Sequence, residues 1–137
     1  MDTADVVERF VDAINRGDVE GICRLMTEDH RFIDSSGEVY LGKEKMRGAW
    51  IHYYSMVPDY RIEISKILVS GDTVVLFGKA SGTYTSDGIL KAGNHWEIPA
   101  AWRALVDGGK VKEWQIYADL AAVREIIRKE PSLKKVE

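Results

Sequence analysis

Apolar and polar residues alternate with two different periods along the chain. In the first part, apolar residues recur every three or four positions over residues 6–14 and again over residues 19–26. This spacing places them on one face of a helix, and it predicts two helices separated by Gly17 and Asp18. The same period returns over residues 43–57, and Pro58 ends this third predicted helix.

From Tyr60 onward the period is close to two, which is typical of β-strands. The pattern slips by one position near Ile67, which predicts a bulge, and Pro99 predicts a second bulge or a bent edge. Gly-containing turns and one polar loop, residues 85–94, separate the extended segments. The predicted strands cover residues 31–34, 39–41, 60–69, 73–84, 95–106 and 110–119, and a short helix follows from Leu120.

This order of elements is typical of the α+β class, with helices segregated on one side of a sheet. We predict a strongly curved antiparallel sheet that wraps around the helices and forms a cone with an internal pocket. A length of 137 residues suits one core, so residues 1–130 are expected to form a single domain, followed by a charged tail at residues 131–137.

The composition narrows the range of functions. A formal net charge of -3, with charges of both signs interspersed, gives no reason to expect binding to nucleic acid or membranes. The chain has one cysteine, Cys23, so an internal disulfide is excluded. Cys23 lies within an apolar helical pattern, which favours a buried thiol. The start of the chain lacks an apolar targeting segment, and we therefore expect a cytoplasmic protein.

Two aspartates are the main candidates for catalysis. Asp119 ends the last predicted strand (KVKEWQIYAD), and Asp34 ends the first short strand. If both face an apolar pocket, burial raises their pKa toward neutral and makes either carboxylate a suitable general base. The alternative for Asp119 is a helix N-cap, and the alternative for Asp34 is a hydrogen-bonded turn at residues 35–37.

His95 is the third candidate, because an imidazole titrates in the range that acid-base catalysis uses. The alternative is a surface histidine at the start of a strand. His30 and His52 are both predicted to be solvated. The histidines and acids do not show the spacing of a metal site, so we expect neither a metal nor another cofactor.

The segments VVERFVDAINRGDVEGICRLMTED and GGKVKEWQIYAD resemble the nuclear transport factor 2-like superfamily. Within it, the chain is similar to the branch of SnoaL-like polyketide cyclases, ketosteroid isomerases and limonene epoxide hydrolases. The resemblance implies a cystatin-like α+β fold, a small apolar organic ligand and a homodimer formed through the sheet. It places Asp34 at the proton-shuttling carboxylate of the isomerases and Asp119 at the catalytic aspartate of the cyclases.

The chain departs from two members of this branch. Phe10 and Trp102 (or Ala101) stand where the isomerases carry two oxyanion donors, and the loss of one such donor typically costs about 2.7 to 4 kcal/mol of barrier. Lys79 and Ser81 replace the arginine and the acid of the epoxide hydrolases, and serine cannot protonate an epoxide oxygen as a carboxylic acid can.

The predicted function is therefore isomerisation or cyclisation of an apolar substrate, with a pocket aspartate as general base. Epoxide hydrolysis in the same pocket and a non-catalytic ligand-binding or dimerisation domain are the alternatives. Large side chains that would exclude water, together with two polar strand residues, are predicted to bind the substrate. They are Phe10, Phe32, Trp50, Tyr53, Tyr54, Lys79, Ser81, Trp102, Trp114 and Ile116.

Overall fold

The fold is taken from a computed structural model of the chain, which describes residues 1–130. The predicted charged tail, residues 131–137, lies outside the described residues. The helices are α1 (Thr3–Asn15), α2 (Val19–Arg24), α3 (Lys43–Met56) and α4 (Ala121–Lys129). The strands are β1 (Met26–Ile33), β2 (Val39–Leu41), β3 (Arg61–Ser70), β4 (Thr73–Thr83), β5 (His95–Asp107) and β6 (Lys110–Tyr117).

The first two helices begin at aspartate caps. The side chain of Asp2 accepts a hydrogen bond from the backbone N–H of Asp5, and the Asp5 side chain accepts one from Asp2 in return. Asp18 caps α2 by accepting from the N–H of Gly21 at 2.9 Å. α2 ends at Arg24, earlier than the sequence pattern predicts, because Met26 already begins β1.

The six strands of the described chain form one sheet in the order β2-β1-β6-β5-β4-β3. The α+β fold class is confirmed, with one difference in detail: β1 and β6 run parallel, whereas the other neighbours are antiparallel. Several intervening elements, among them α3 and β3 to β5, separate β1 from β6 and give the chain room to return in the same direction.

His30 lies in β1 at this parallel pair. The residue is 1% exposed, and Nδ1 of its ring donates a hydrogen bond to the backbone oxygen of Val111 in β6 at 2.8 Å. Burial lowers the pKa of His30. The prediction that His30 is solvated is therefore wrong. The local sequence pattern could not show this burial, because the hydrogen bond joins two residues that are 81 positions apart in the chain.

The sheet bends at a bulge in β3. The pairing of β3 with β4 shifts between Ile64 and Lys66, close to the predicted bulge at Ile67. Gly78 of β4 lies opposite, and a Cβ atom at this position would overlap the backbone carbonyl oxygen of Glu63. A glycine is therefore required where the two strands approach most closely.

Pro99 does not interrupt the ladder between β4 and β5, where it pairs with Lys79. The pairing of β5 with β6 begins only at Ala101, opposite Tyr117, so Pro99 has a neighbouring strand on one side. The proline thus occupies an edge position, as one of the two predicted alternatives states, and the bulge of β5 lies further along, between Leu105 and Val106.

The concave face of the sheet carries the core. Along β5 every second residue from Trp96 to Val106 is buried, as the alternation predicts. Helix α1 packs against β3 to β6, whereas α3 packs against β1 and β2. None of the helices in residues 1–130 combines the length and the apolar character needed to cross a lipid bilayer.

Candidate functional site

A cavity of about 330 Å³ lies between α3 and the concave face of the sheet. Its wall is mostly aromatic or aliphatic, which favours an apolar ligand. Six of the residues predicted to bind the substrate line it: Phe32, Trp50, Tyr53, Trp102, Trp114 and Ile116.

Aromatic contacts organise the cavity wall. The indoles of Trp102 and Trp114 stack with ring centroids 6.3 Å apart, and Tyr53 meets Tyr60 edge to face at 5.0 Å. Burial raises the pKa of both Tyr53 and Tyr60, so their hydroxyl groups stay protonated near neutral pH.

Asp34 belongs to the cavity wall, directly after the end of β1. Its Oδ1 atom accepts three hydrogen bonds, from the N–H of Ser36 at 2.9 Å, the hydroxyl of Ser36 at 2.6 Å and the N–H of Glu38 at 3.0 Å. Its Oδ2 atom accepts one longer bond, from the hydroxyl of Tyr40 at 3.2 Å. Asp34 therefore closes the turn, as the structural alternative predicts, and also lines the cavity.

The pKa of Asp34 is lowered, although burial in an apolar pocket alone would raise it. Burial is the largest single influence and raises it, but the hydrogen bonds from Ser36, Glu38 and Tyr40 together outweigh burial. Each bond favours the charged form. The side chain is consequently a carboxylate at neutral pH, and it can accept a proton without first losing one.

The hydroxyl of Tyr40 can donate its proton either to Oδ2 of Asp34 or to Glu38. Its hydroxyl has one proton and two acceptors, the Oε2 atom of Glu38 at 2.9 Å and the Oδ2 atom of Asp34 at 3.2 Å. The hydrogen bond to Glu38 and the adjacent carboxylates raise the pKa of Tyr40 to about 12. When the hydroxyl donates to Glu38, Oδ2 of Asp34 is free to contact a ligand.

Asp119 does not join Asp34 in the cavity wall. β6 ends at Tyr117, and the exposed carboxylate of Asp119 accepts a hydrogen bond from the backbone N–H of Ala121 at 2.9 Å, at the start of α4. The next residue, Leu120, lines the cavity. The prediction that both aspartates face one chamber therefore needs correction, because the chain leaves the sheet before Asp119 and uses this carboxylate at the helix start.

His95 lies outside the cavity, on the convex side of β5, and is exposed. The hydroxyl of Thr83 donates to the carboxylate of Asp59 at 2.7 Å and lies 3.0 Å from Nδ1 of His95. Because the single hydroxyl proton goes to the carboxylate, Nδ1 of His95 carries a proton and donates to Thr83. The imidazole is thus held by Asp59 through Thr83, away from the predicted pocket.

Lys79 and Ser81 also lie on the convex face and do not line the cavity. Side chains alternate along β4, and Ala80, between them, lines the cavity wall. The ammonium group of Lys79 is 3.5 Å from the carboxylate of Glu97. The prediction that Lys79 and Ser81 bind the substrate is therefore corrected, because side chains on either side of Ala80 point to the opposite face of the sheet.

Phe10 and Tyr54 are packed behind the cavity rather than in its wall. The Phe10 ring is fully buried and meets Trp114 edge to face at 5.0 Å. The hydroxyl of Tyr54 donates to the backbone oxygen of Ile14 at 2.5 Å, which joins α3 to α1. Both side chains support the wall without lining the cavity themselves.

Sequence reasoning missed several residues of the wall. Trp96 shares the buried face of β5 with Trp102, so the two-residue period was a sufficient signal. Tyr60 precedes the buried Ile62 by two positions and follows the same rule. Tyr40 lies opposite Phe32 in the β1–β2 pair. His52 lines the cavity while remaining exposed.

The fold and the cavity define a class of protein: a cone-shaped α+β domain with a mostly apolar cavity and a carboxylate in its wall. Within residues 1–130 no three His, Cys, Asp or Glu side chains come together as a metal site. The family model of the SnoaL-like domain matches residues 7–114, and the chain belongs to this family. No curated protein matches the sequence significantly.

Solved structures share the fold at low sequence identity. A candidate SnoaL-like polyketide cyclase from Jannaschia sp. CCS1 is 22% identical, with a TM-score of 0.80 over 94% of this chain and 93% of that one. A protein of ketosteroid isomerase-like fold from Catenulispora acidiphila, in complex with trimethylamine, is 19% identical, with a TM-score of 0.74 over 86% and 88%. TerC, co-crystallised with polyporic acid, is 17% identical, with a TM-score of 0.76 over 93% and 98%.

Proposed function

We propose that this protein is an enzyme that isomerises or cyclises a small apolar carbonyl compound, with Asp34 as general base. The observation that carries the proposal is the position of Asp34. Among the described residues that line the cavity it is the one carboxylate, and apolar and aromatic side chains make up most of the rest. Apolar surroundings of this kind can hold a flexible substrate in one conformation beside the carboxylate.

The geometry suggests how proton transfer would proceed. Oδ2 of Asp34 takes a proton from a carbon next to the carbonyl group, and the electron pair of that C–H bond moves onto the carbonyl oxygen. For isomerisation, Asp34 returns the proton to a different carbon of the same molecule. For cyclisation, the carbon of the enolate attacks a second carbonyl group, and the proton passes to the new alkoxide.

The proteins similar in structure support a small organic ligand. TerC was co-crystallised with polyporic acid, and the protein from Catenulispora acidiphila is in complex with trimethylamine. The cavity of this chain has a mostly apolar wall of the kind that holds small organic ligands.

Non-catalytic ligand binding is the second candidate, because the lowered pKa of Asp34 makes this carboxylate a weaker base. Epoxide hydrolysis has less support, since Lys79 and Ser81 lie on the convex face, outside the cavity. A direct assay of proton abstraction distinguishes the first two candidates.

The test is hydrogen exchange in an enolisable ketone of suitable size, such as 2-tetralone, in heavy water. We expect the protein to accelerate the replacement of its α-protons by deuterium above the rate in buffer, because Asp34 removes them inside the cavity. Proton NMR of the ketone measures the rate. If 2-tetralone binds but exchanges only at the buffer rate, the general-base function is wrong and the binding function is retained.

We also propose that the protein forms a homodimer through the convex face of the sheet. Tyr117, Ala101 and Phe77 lie level on three adjacent strands of this face, and the two rings are 50% and 43% exposed. Beside this row, Arg31 and Arg103 each contact the buried carboxylate of Glu113 at 2.5 Å. An exposed apolar row next to an ordered charge cluster suits a contact between two copies.

The substitution Phe77→Asp is expected to convert the dimer into a monomer, because it introduces a charge into the middle of the apolar contact. Sedimentation equilibrium measures the change from twice the 15.5 kDa chain mass to a single mass. Ile51→Asp is the control, since Ile51 is 57% exposed on α3, away from the convex face. A monomeric wild type, or equal loss of the dimer in the control, would contradict this interface.

A cytoplasmic location stays part of the proposal. Cys23 is 1% exposed, and burial raises the pKa of its thiol, so this side chain remains in the unreactive protonated form. A single buried thiol suits a reducing compartment.

A further inference from the structure

The cavity wall combines many aromatic rings with one negative charge. Phenylalanine, tyrosine and tryptophan side chains reach it from α3 and from the strands β1, β2, β5 and β6. Asp34 belongs to the same wall and is half-buried, and the hydrogen bonds of its turn keep it in the carboxylate form. Because the faces of aromatic rings carry partial negative charge, rings and carboxylate both attract a positively charged group.

Three of these rings lie next to Asp34. Phe32 precedes Asp34 by two residues, and it pairs with Tyr40 of β2 on one side and with Trp114 of β6 on the other. The ring centroids of Phe32 and Tyr40 are 5.9 Å apart, and the Tyr40 hydroxyl is 3.2 Å from Oδ2 of Asp34. All four residues line the cavity. An aromatic surface that crosses three strands therefore borders the carboxylate.

The cavity wall does not balance this negative charge with a permanent positive one. No lysine or arginine lines the cavity in the part of the chain that the structure describes. The ammonium group of Lys45 is 6.0 Å from the centroid of the Tyr40 ring, but Lys45 does not belong to the wall. A second carboxylate, Glu38, accepts a hydrogen bond from the Tyr40 hydroxyl at 2.9 Å. Two carboxylates thus make this end of the cavity negative.

We propose that the cavity binds an organic ammonium ion, that is, a protonated amine on an apolar body. An N–H group of the ligand donates to Oδ2 of Asp34, the oxygen that receives only the longer bond from Tyr40. The hydrocarbon part of the ligand lies among the aromatic rings. A hydrogen bond between two charged groups is shorter and stronger than one between neutral groups. The proposal concerns the charge of the ligand, and it does not depend on proton abstraction by Asp34.

The cost of filling the cavity favours a cation over ligands of other charge. Any ligand that occupies the cavity displaces water from the half-buried carboxylate of Asp34. A charge that loses water without gaining a partner is costly, and a neutral ligand compensates this loss only in part. A protonated amine compensates it fully, whereas an anion adds repulsion between like charges.

The test uses three probes that share one bicyclic body and differ in charge. They are 2-aminotetralin, which is a cation at pH 7, 2-tetralol, its neutral match, and tetralin-2-carboxylate, an anion. Isothermal titration calorimetry measures the dissociation constants. We expect 2-aminotetralin to bind at least about tenfold more tightly than 2-tetralol, and the anion to bind most weakly. Equal affinities of the amine and the alcohol would overturn the proposal, and this comparison requires no variant.

The substitution Asp34→Asn locates the bound amine. It removes the charge and keeps the shape, so the preference for 2-aminotetralin over 2-tetralol is expected to fall to about threefold, which the ring faces alone supply. Asp119→Asn removes the same charge outside the cavity wall and is the matched control, because a protein with a net charge of -3 attracts any cation weakly. An unchanged preference in Asp34→Asn, or an equal loss in both variants, would contradict the proposed site.

Amine binding and proton abstraction can fail separately, because 2-aminotetralin has no carbonyl group and needs no proton transfer to bind. If 2-tetralone does not exchange while Asp34 selects the amine, the general-base function is wrong and the ammonium site is supported. If 2-tetralone exchanges while the amine binds no better than the alcohol, the ammonium site is wrong. If both hold, 2-aminotetralin is expected to inhibit the exchange competitively, since amine and ketone use the same oxygen of Asp34.

Discussion

Replacing Asp34 with asparagine is expected to lower the exchange rate of bound 2-tetralone at least about 100-fold, the lower end of the usual contribution of a general base. The amide oxygen can still accept hydrogen bonds from the backbone N–H groups of Ser36 and Glu38, so the turn is retained. An amide nitrogen in place of Oδ2 cannot accept the proton. Proton NMR in heavy water measures the rate, and a thermal melt verifies that the variant is folded.

Asp119→Asn is the matched control for this substitution. The amide oxygen of the new side chain would still accept a hydrogen bond at the start of α4, where the Asp119 carboxylate contacts the N–H of Ala121. Asparagine forms such a local side-chain hydrogen bond, to a backbone N–H two residues further on, as aspartate does. We therefore expect the exchange rate and the stability of this variant to match those of the wild type. A large loss of rate in Asp119→Asn, with Asp34→Asn active, would transfer the general-base role to Asp119.

The lowered pKa of Asp34 fixes the direction of its pH dependence. Folding favours the carboxylate, so its contribution to stability is complete above the ordinary aspartate pKa of about 3.9 and is lost as the pH falls through the lower folded value. The same ionised form is the proposed base. We therefore expect protonation of Asp34 to lower the exchange rate only in acid, below the ordinary pKa of an aspartate.

Gly78→Ala is expected to destabilise the fold by about 3 kcal/mol, at the upper end of the usual cost of an overpacked site. The new Cβ would overlap the backbone oxygen of Glu63, and backbone cannot move aside as a flexible side chain can. For a chain of this size the loss corresponds to a melting temperature lower by about 10 °C. Differential scanning calorimetry measures the shift.

Gly48→Ala is the control for the same chemical change in open space. Gly48 lies within α3, and a methyl group added to its Cα atom would meet no other atom within 4 Å. Alanine favours helix over glycine by about 0.5 to 1 kcal/mol, so this variant is expected to be more stable than the wild type. Equal effects of the two substitutions would show that the close approach at Gly78 does not constrain the sheet.

The alternation of side chains was enough to predict most of the architecture. The buried face of β5 and the bulge near Ile67 follow from a period of two and from its interruption. His30 could not be assigned in this way, because its environment comes from Val111, which is distant in the sequence. Local patterns describe single elements, whereas this contact depends on which strands become neighbours.

The site was only partly predictable for a related reason. The sequence around Asp34 is typical of a turn, and its place at the end of a strand also indicates a pocket residue. The structure shows both features, since Asp34 accepts hydrogen bonds within the turn and lines the cavity. The location of Asp119 depends on where β6 ends, which is at Tyr117, two residues before Asp119. Lys79 and Ser81 were assigned to the pocket by resemblance, although the alternation around Ala80 separates them from it.

The parallel pairing of β1 with β6 has a consequence for biosynthesis. Met26 is level with Val111, so the segment that carries Asp34 gains its long-range neighbour only after nearly the whole domain has left the ribosome. The antiparallel β3–β4 hairpin can form earlier from residues close together in the chain. We therefore expect nascent chains that stop before β6 to contain a preformed hairpin and an unassembled chamber, with their apolar rings accessible to chaperones.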